Sequence, residues 1–417
     1  MKMGSSRVPF EWAMGLPLAG YINRTAPANG IHRELYLRAT IISTDDDAVR
    51  LCLVSGEVLS VDHDLTHRLR EEIHQQIGIP TGAIMVAATH THASVGGLTH
   101  FPVAGKAETV LGAYASERVD QFIHTALQAV QQAYQTQTTV SLWYGKALTH
   151  NIAANRRDPN GTLDPNLPFV VAKDDHGEIR AAILNYACHP TILNADNDLY
   201  SGDLIGTACA LLEAQWGVVV GLTGAAGNIS TRFTRRDSST VEVEHMAHEL
   251  VTAIQTADLQ PLEAKNFAYA QQQVILPIKP AQSRQDLQQA LAHAQARLAD
   301  MQNHPQRRII EAEIEGLRVQ MGMGERPTHI TTEVQVFRLG SAHIISLPGE
   351  LFVEYGLELM TKLVPNPVLI AGYANDYIGY VTTVEASDGY EADSAIVPAE
   401  AGNMLIQAIM ETIKRMG

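Results

Sequence analysis

Two histidines one residue apart, in Thr89-His90-Thr91-His92, follow directly on the apolar run Ala83-Ile84-Met85-Val86-Ala87-Ala88. Side chains two apart on a strand face the same side, so this spacing lets both imidazoles enter one site. Imidazole ligates metals and titrates near neutral pH, so the pair can hold an ion, carry a proton, or divide the two tasks. Taken alone, the pair also fits two surface histidines in a loop. Three further features are of the same kind. Tyr186-Ala187-Cys188-His189-Pro190 closes another apolar strand with a histidine. Pro348-Gly349-Glu350 puts a carboxylate at a strand-to-helix junction, where it can equally act as an acid favouring the helix dipole. Ala371 to Thr383 contains Tyr373, Tyr377 and Tyr380, with Tyr390 soon after, a density that aromatic packing alone would also explain.

These residues need elements to hold them. Arg38 to Ser43 and Val49 to Leu53 are β-rich runs around the turn Asp45-Asp46-Asp47, and Val58 to Ile77 reads as an amphipathic helix. Ala83 to Ala88 is continuously apolar, the mark of a strand buried on both faces. Ser116 to Gln135 is a helix, and Ala181 to Ala187 and Gly217 to Leu222 are apolar strands. Val334 to Leu339 and His343 to Leu347 are strands, with a helix from Leu351. Interleaved strands and helices predict an α/β fold with mixed central sheets, flanking helices and the site at strand C-terminal ends. Ser283 to Met321 breaks the rhythm with helical spacing interrupted at Asn303-His304-Pro305, and reads as a helical hairpin inserted over about 281–325. Its ordinary role is a solvated structural arm, with a lid or partner-binding role as the alternative. With no repeat or linker, residues 1–417 read as one catalytic domain.

Composition narrows the class. The chain has 417 residues, 30 Lys+Arg against 45 Asp+Glu, and a net charge of -15. That balance, without a basic block, argues against nucleic acid as a partner. No apolar run is long enough for a transmembrane helix. The N-terminus MKMGSSRVPFEW has no apolar core and does not read as a signal peptide. Three cysteines, Cys52, Cys188 and Cys209, without motif spacing, suggest a reducing, cytoplasmic setting. Association into a homo-oligomer is compatible with so apolar a chain.

Jointly the motifs resemble those of the neutral/alkaline ceramidases, zinc amidases that cleave the N-acyl bond of ceramide. ATHTHASVGGL is similar to that family's ATHTHSGPGG signature, and GIHRELYLRATII to its early GIHxRLxARAFVV segment. AANRRD, NYACHPTIL with YSGDLIGTA, SLPGELFVEYG, and AGYANDYIGYVTT with the later YEA resemble further family landmarks in the same order. LTGAAGNIS stands at the family's NxGDxSPN loop.

The resemblance implies a zinc ion (Zn2+) held by His90, His189, Glu350 and Tyr380, with an open position for water. It implies His92 as general acid/base, Arg156 as a substrate or oxyanion contact, Tyr390 as the oxyanion's hydrogen-bond donor, and Ser230 as the serine assigned as a nucleophile in the family. Zinc would lower the pKa of its water and His92 would take the proton and return it to the leaving nitrogen. Arg156 could instead grip a substrate carboxylate. The sequence departs from the family where Gly227-Asn228-Ile229-Ser230 replaces GDxS and where Glu385-Ala386-Ser387 replaces EEY, with a shorter gap to Tyr390. It also shows neither the family's C-terminal β-domain nor a secretion signal. The expected substrate is therefore a small soluble amide rather than membrane ceramide. A metal-dependent esterase or deacylase on the same site, and a non-catalytic ligand-binding homologue, are the alternatives.

Other clusters compete less well. Asp62-His63-Asp64 with His67, and Glu244-His245 with His248-Glu249, match neither zincin order and read as helix faces or structural contacts. Asp203 either orients His189 or shapes a turn. Cys188 is a small buried neighbour of His189.

Overall fold

The computed structural model describes residues 1–103, 110–263, 265–301, 307–324 and 326–417. It is a mixed α/β structure in which three sheets each end in a parallel pair of strands. In the first, Arg50–Gly56 and Ile84–Ala88 flank the helix His63–Ile77. In the second, Ile179–Tyr186 and Val218–Thr223 flank Asp203–Leu212. In the third, Ala342–Ser346 and Val368–Ala371 flank Val353–Lys362. Parallel strands need a crossover, and these three helices supply it. The C-terminal ends of the three units are where His90, His189 and Glu350 emerge. The other strands are antiparallel, including Lys2–Pro9 on Tyr36–Ser43 and Ala268–Pro277 on His329–Leu339.

The strands of these pairs are nearly all apolar and buried on both faces, Ile84 to Ala88 without exception, so they must be covered on each side. They cover one another. Asn185 donates to the Ile370 carbonyl at 2.7 Å and accepts the Ile370 N–H at 2.8 Å. Asn375 accepts the Val86 N–H at 2.9 Å, and the Gly372 N–H reaches the Thr223 carbonyl at 2.8 Å. Side-chain amides thus satisfy backbone groups that edge strands would otherwise expose.

The expected elements are present, with shifted ends. The first helix starts at His63 rather than Val58, because Asp62 caps it by accepting the Leu65 N–H at 2.8 Å. The helix at Ser116–Gln135 has its expected bounds. The hairpin consists of Arg284–Ala299 and Arg307–Gly322, packed through Leu287, Ala294, Ile310, Ile314 and Leu317; Asn303-His304-Pro305 lies outside the described residues. Its second helix packs against the helix Gly389–Ser394. A Cβ on Gly316 would stand 3.3 Å from the Tyr390 Cα and 3.0 Å from the Asp393 Cβ, so glycine permits the close approach.

Candidate metal centre and its cavity

The strand carrying His90 ends at Ala88, where the Thr89 N–H is taken by the Gly56 carbonyl at 2.9 Å. His90 then adopts φ 63°, in the left-handed region, where a non-glycine residue costs on the order of 1–3 kcal/mol. His90 and His92 therefore meet through a turn, not through the strand pleat that their spacing suggested. The His90 ring stacks on Tyr373 with centroids 3.9 Å apart, and its Nδ1 is 2.7 Å from the Leu59 carbonyl oxygen. His189 sits at the end of the second parallel unit, its Nδ1 2.7 Å from the Ala226 carbonyl oxygen.

A carbonyl oxygen only accepts, so both rings carry their proton on Nδ1 and a lone pair on Nε2. Those two Nε2 atoms are 3.1 Å apart. Burial, then the nearby Arg156 charge, push His189 down to about 4, so its ring is neutral near pH 7. The Glu350 Oε2 lies 3.1 Å from His189 Nε2 and 3.6 Å from His90 Nε2 and has no hydrogen-bond donor among the described residues. His92 Nε2 is 3.2 Å from His90 Nε2. Buried lone pairs facing one another at this range call for a shared cation. Among the described residues, His90, His92 and His189 form a group whose ligand atoms all lie within 4.8 Å. Neutral imidazole and carboxylate suit a zinc-type ion.

Glu350 and Tyr380 are register partners in a two-residue parallel bridge, Glu350–Leu351 with Tyr380–Val381, which sets their side chains side by side. The other Glu350 oxygen, Oε1, accepts a short hydrogen bond from the Tyr377 hydroxyl. Arg156 follows the strand Ala154–Asn155, which pairs with Ile229–Ser230. Its Nη2 donates to the Tyr380 hydroxyl oxygen at 3.0 Å and to the Gly227 carbonyl at 2.6 Å, and its Nε lies 2.8 Å from Glu391 Oε1. The guanidinium thus backs Tyr380.

A cavity of about 300 Å³ opens beside these groups, lined among others by His92, Arg156, Ser230, Tyr380 and Tyr390. The Tyr390 ring meets Tyr380 edge-on at 5.7 Å. Ser230 pairs with His189 through a backbone bridge, and its Oγ accepts the Arg232 N–H at 3.3 Å. All eight residues singled out for chemistry in the sequence therefore surround one centre.

The competing clusters sit elsewhere. His63 and His67 are exposed on their helix, and Glu244 pairs with Arg33 and His32. Asp203 accepts the N–H groups of Ile192, Leu193 and Leu204, so it shapes the chain after His189 rather than holding the ring. Cys188 is buried, as are the other two cysteines, and all three are unpaired.

Sequence reasoning gave no role to Tyr373, Tyr377, Gly20 or Arg24. The tyrosines lay inside the noted aromatic stretch, but nothing there distinguishes packing from support of His90 and Glu350. Gly20 has φ 101°, and a Cβ on it would lie 2.4 Å from His92 Nδ1. Arg24 donates to the His92 carbonyl at 2.5 Å. Both come from a loop whose spacing carries no signal.

The family profile for the N-terminal part of neutral/alkaline non-lysosomal ceramidase matches residues 12–238. The neutral ceramidase of Pseudomonas aeruginosa is 23% identical over 449 residues, covering 91% of this chain and 66% of that protein. Neutral ceramidase B of Dictyostelium discoideum is 28% identical over 213 residues, 48% of this chain and 29% of that protein. The chain thus spans less than two thirds of these relatives' length. The crystal structure of the Pseudomonas aeruginosa neutral ceramidase shares the fold, with a TM-score of 0.77 at 18% identity over 99% of this chain and 73% of that one. Among the described residues, no helix is long and apolar enough to cross a membrane.

Proposed function

This chain belongs to the neutral/alkaline non-lysosomal ceramidase family, and from that premise we propose that it is a zinc-dependent hydrolase of carboxamide (N-acyl) bonds. The observation that carries the reading is the 3.1 Å approach of His90 Nε2 and His189 Nε2, both with their protons committed to carbonyls, beside the unpartnered Glu350 Oε2.

In this reading His90, His189, Glu350 and Tyr380 hold zinc. When bound, zinc supplies Lewis acidity and lowers the pKa of a water toward about 7. The rest is the work of the chain. Arg156 is a positioning residue: it donates to the Tyr380 hydroxyl oxygen at 3.0 Å, and its positive charge opposes the strong rise that burial imposes on that phenol. Tyr377 orients Glu350 through Oε1. His92 accepts at Nε2, the nitrogen turned toward His90, the proton of the water that adds to the carbonyl carbon, and returns it to the amine nitrogen as the C–N bond breaks. Burial and the neighbouring His90 and His189 depress its basicity strongly. Tyr390, whose phenol burial keeps protonated, donates to the carbonyl oxygen as charge builds there. Ser230 lines the cavity as a substrate contact. A nucleophilic serine needs a base on its hydroxyl, and the bond found there is instead the Arg232 N–H.

The substrate is read as a small soluble amide, supported by the modest volume and polar lining of the cavity. Glu315 of the hairpin also lines it, which supports one catalytic unit with the hairpin as an inserted wall. Unpaired buried cysteines fit the cytoplasmic setting read from their number. Hydrolysis of matched amide and ester substrates of one acyl group, with and without chelator, tests the reading. Chelator-sensitive amide cleavage is expected, and cleavage of the ester alone would replace amidase with esterase.

A further inference from the structure

Beyond Ser230 the chain turns tightly, with the Thr231 carbonyl accepting the N–H groups of Thr234 at 3.1 Å and Arg235 at 2.9 Å. The turn brings Arg232 and Arg235 onto the wall of the cavity that holds His92, Tyr380 and Tyr390. Arg235 donates through Nη1 to the carbonyl of Thr191, two residues past His189, and among the described residues it pairs with no carboxylate. Asp203, the acid that it influences, has spent its oxygens on backbone N–H groups. Arg232 Nη1 lies 3.5 Å from the Arg156 carbonyl.

The acids lining the cavity are placed differently. Asp196 is exposed, and Glu315 accepts from the Asn23 amide at 2.8 Å. Among the described residues, the aliphatic part of the lining is Ile22 and Ala195. Guanidinium groups beside the reacting centre, with little aliphatic surface, suit an anion better than a long hydrocarbon chain.

We propose that Arg232 and Arg235 form a carboxylate subsite, so that the amide cleaved is an N-acyl amino acid whose free carboxylate is held next to the scissile bond. This rests on the amide-hydrolase reading above. A guanidinium cannot lose its charge near neutral pH, and its donors fit a carboxylate in pairs. Two such groups on one wall select an acidic amine portion over a neutral one.

The test compares the zinc-loaded protein on N-acetylglycine and N-hexanoylglycine with the matching N-acylglycinamides, following release of the acyl acid. The expected kcat/KM favours the free acids by roughly 10- to 100-fold, the size of a charge-assisted contact. Arg235→Gln should collapse that acid-to-amide ratio, mainly through KM, and Arg235→Lys should recover part of it. The wild-type comparison holds even if a variant folds poorly. Equal or faster cleavage of the glycinamides, with a ratio unmoved in Arg235→Gln, overturns the carboxylate subsite while leaving amide hydrolysis intact. Cleavage of none of the four compounds or of any other N-acyl amide overturns both readings together.

Discussion

Tyr380 accepts a hydrogen bond from Arg156 at 3.0 Å while standing in register with Glu350 on the neighbouring strand. One short bridge therefore delivers a carboxylate and a phenol to the same place, and one buried guanidinium, itself held by Glu391, donates to the phenol oxygen. The centre is assembled from strand ends rather than from a continuous element, because three parallel strand pairs release their C-terminal loops toward one point.

Tyr377 should matter through Glu350. Tyr377→Phe removes the donor on Oε1 and leaves a buried carboxylate oxygen without a partner. Metal affinity should fall by about 10- to 100-fold, as for other supporting partners of ligands. Competition with a chelating dye measures it, and unchanged affinity would detach Tyr377 from the centre.

His92 should separate proton transfer from metal binding. His92→Ala is expected to retain the metal and lose about 10²- to 10⁴-fold in kcat. Gly20→Ala should act in the same direction, since its Cβ would collide with the His92 ring. Loss of metal in His92→Ala would make His92 a ligand instead.

Ser230 should be dispensable as a nucleophile. Ser230→Ala is expected to cost a few-fold in kcat/KM, through lost substrate contact, with turnover persisting. Abolished turnover with full metal content would restore the nucleophilic serine.

Asp376 should give stability a pH slope. Burial raises its carboxyl from 3.8 to about 6, although Thr332 and the Tyr377 N–H donate to it. The folded protein then binds more protons than the unfolded chain between these values, so stability falls as pH rises through that window. The loss reaches up to about 3 kcal/mol above pH 6. Asp376→Asn should flatten this part of the profile in chemical denaturation between pH 4 and 7. An unchanged slope would assign the titration to other groups.

The layout was legible where the sequence is strongly patterned. The apolar strand before Thr89 and the helix Ser116–Gln135 were readable because burial on two faces and amphipathic spacing leave unambiguous traces. His90 and His92 were legible as a pair, yet the reason given for their convergence was wrong. The left-handed φ of His90 is set by the turn and by stacking on Tyr373, which spacing does not encode. Arg156, read as a substrate or oxyanion contact, lines the cavity and also backs Tyr380, because its partners arrive from residues 227, 380 and 391. Long-range placement of this kind leaves no local pattern, and the same holds for Tyr377 against Glu350 and Gly20 against His92.

The central claim is that this centre holds zinc and hydrolyses an amide by means of it. The most direct measurement determines metal content and N-acyl amide hydrolysis on one preparation, before chelation, after it, and after zinc is returned. The account predicts about one zinc per chain, activity lost with the metal and regained with it, and neither in His90→Ala or His189→Ala. Full amide hydrolysis by the metal-free protein would contradict it.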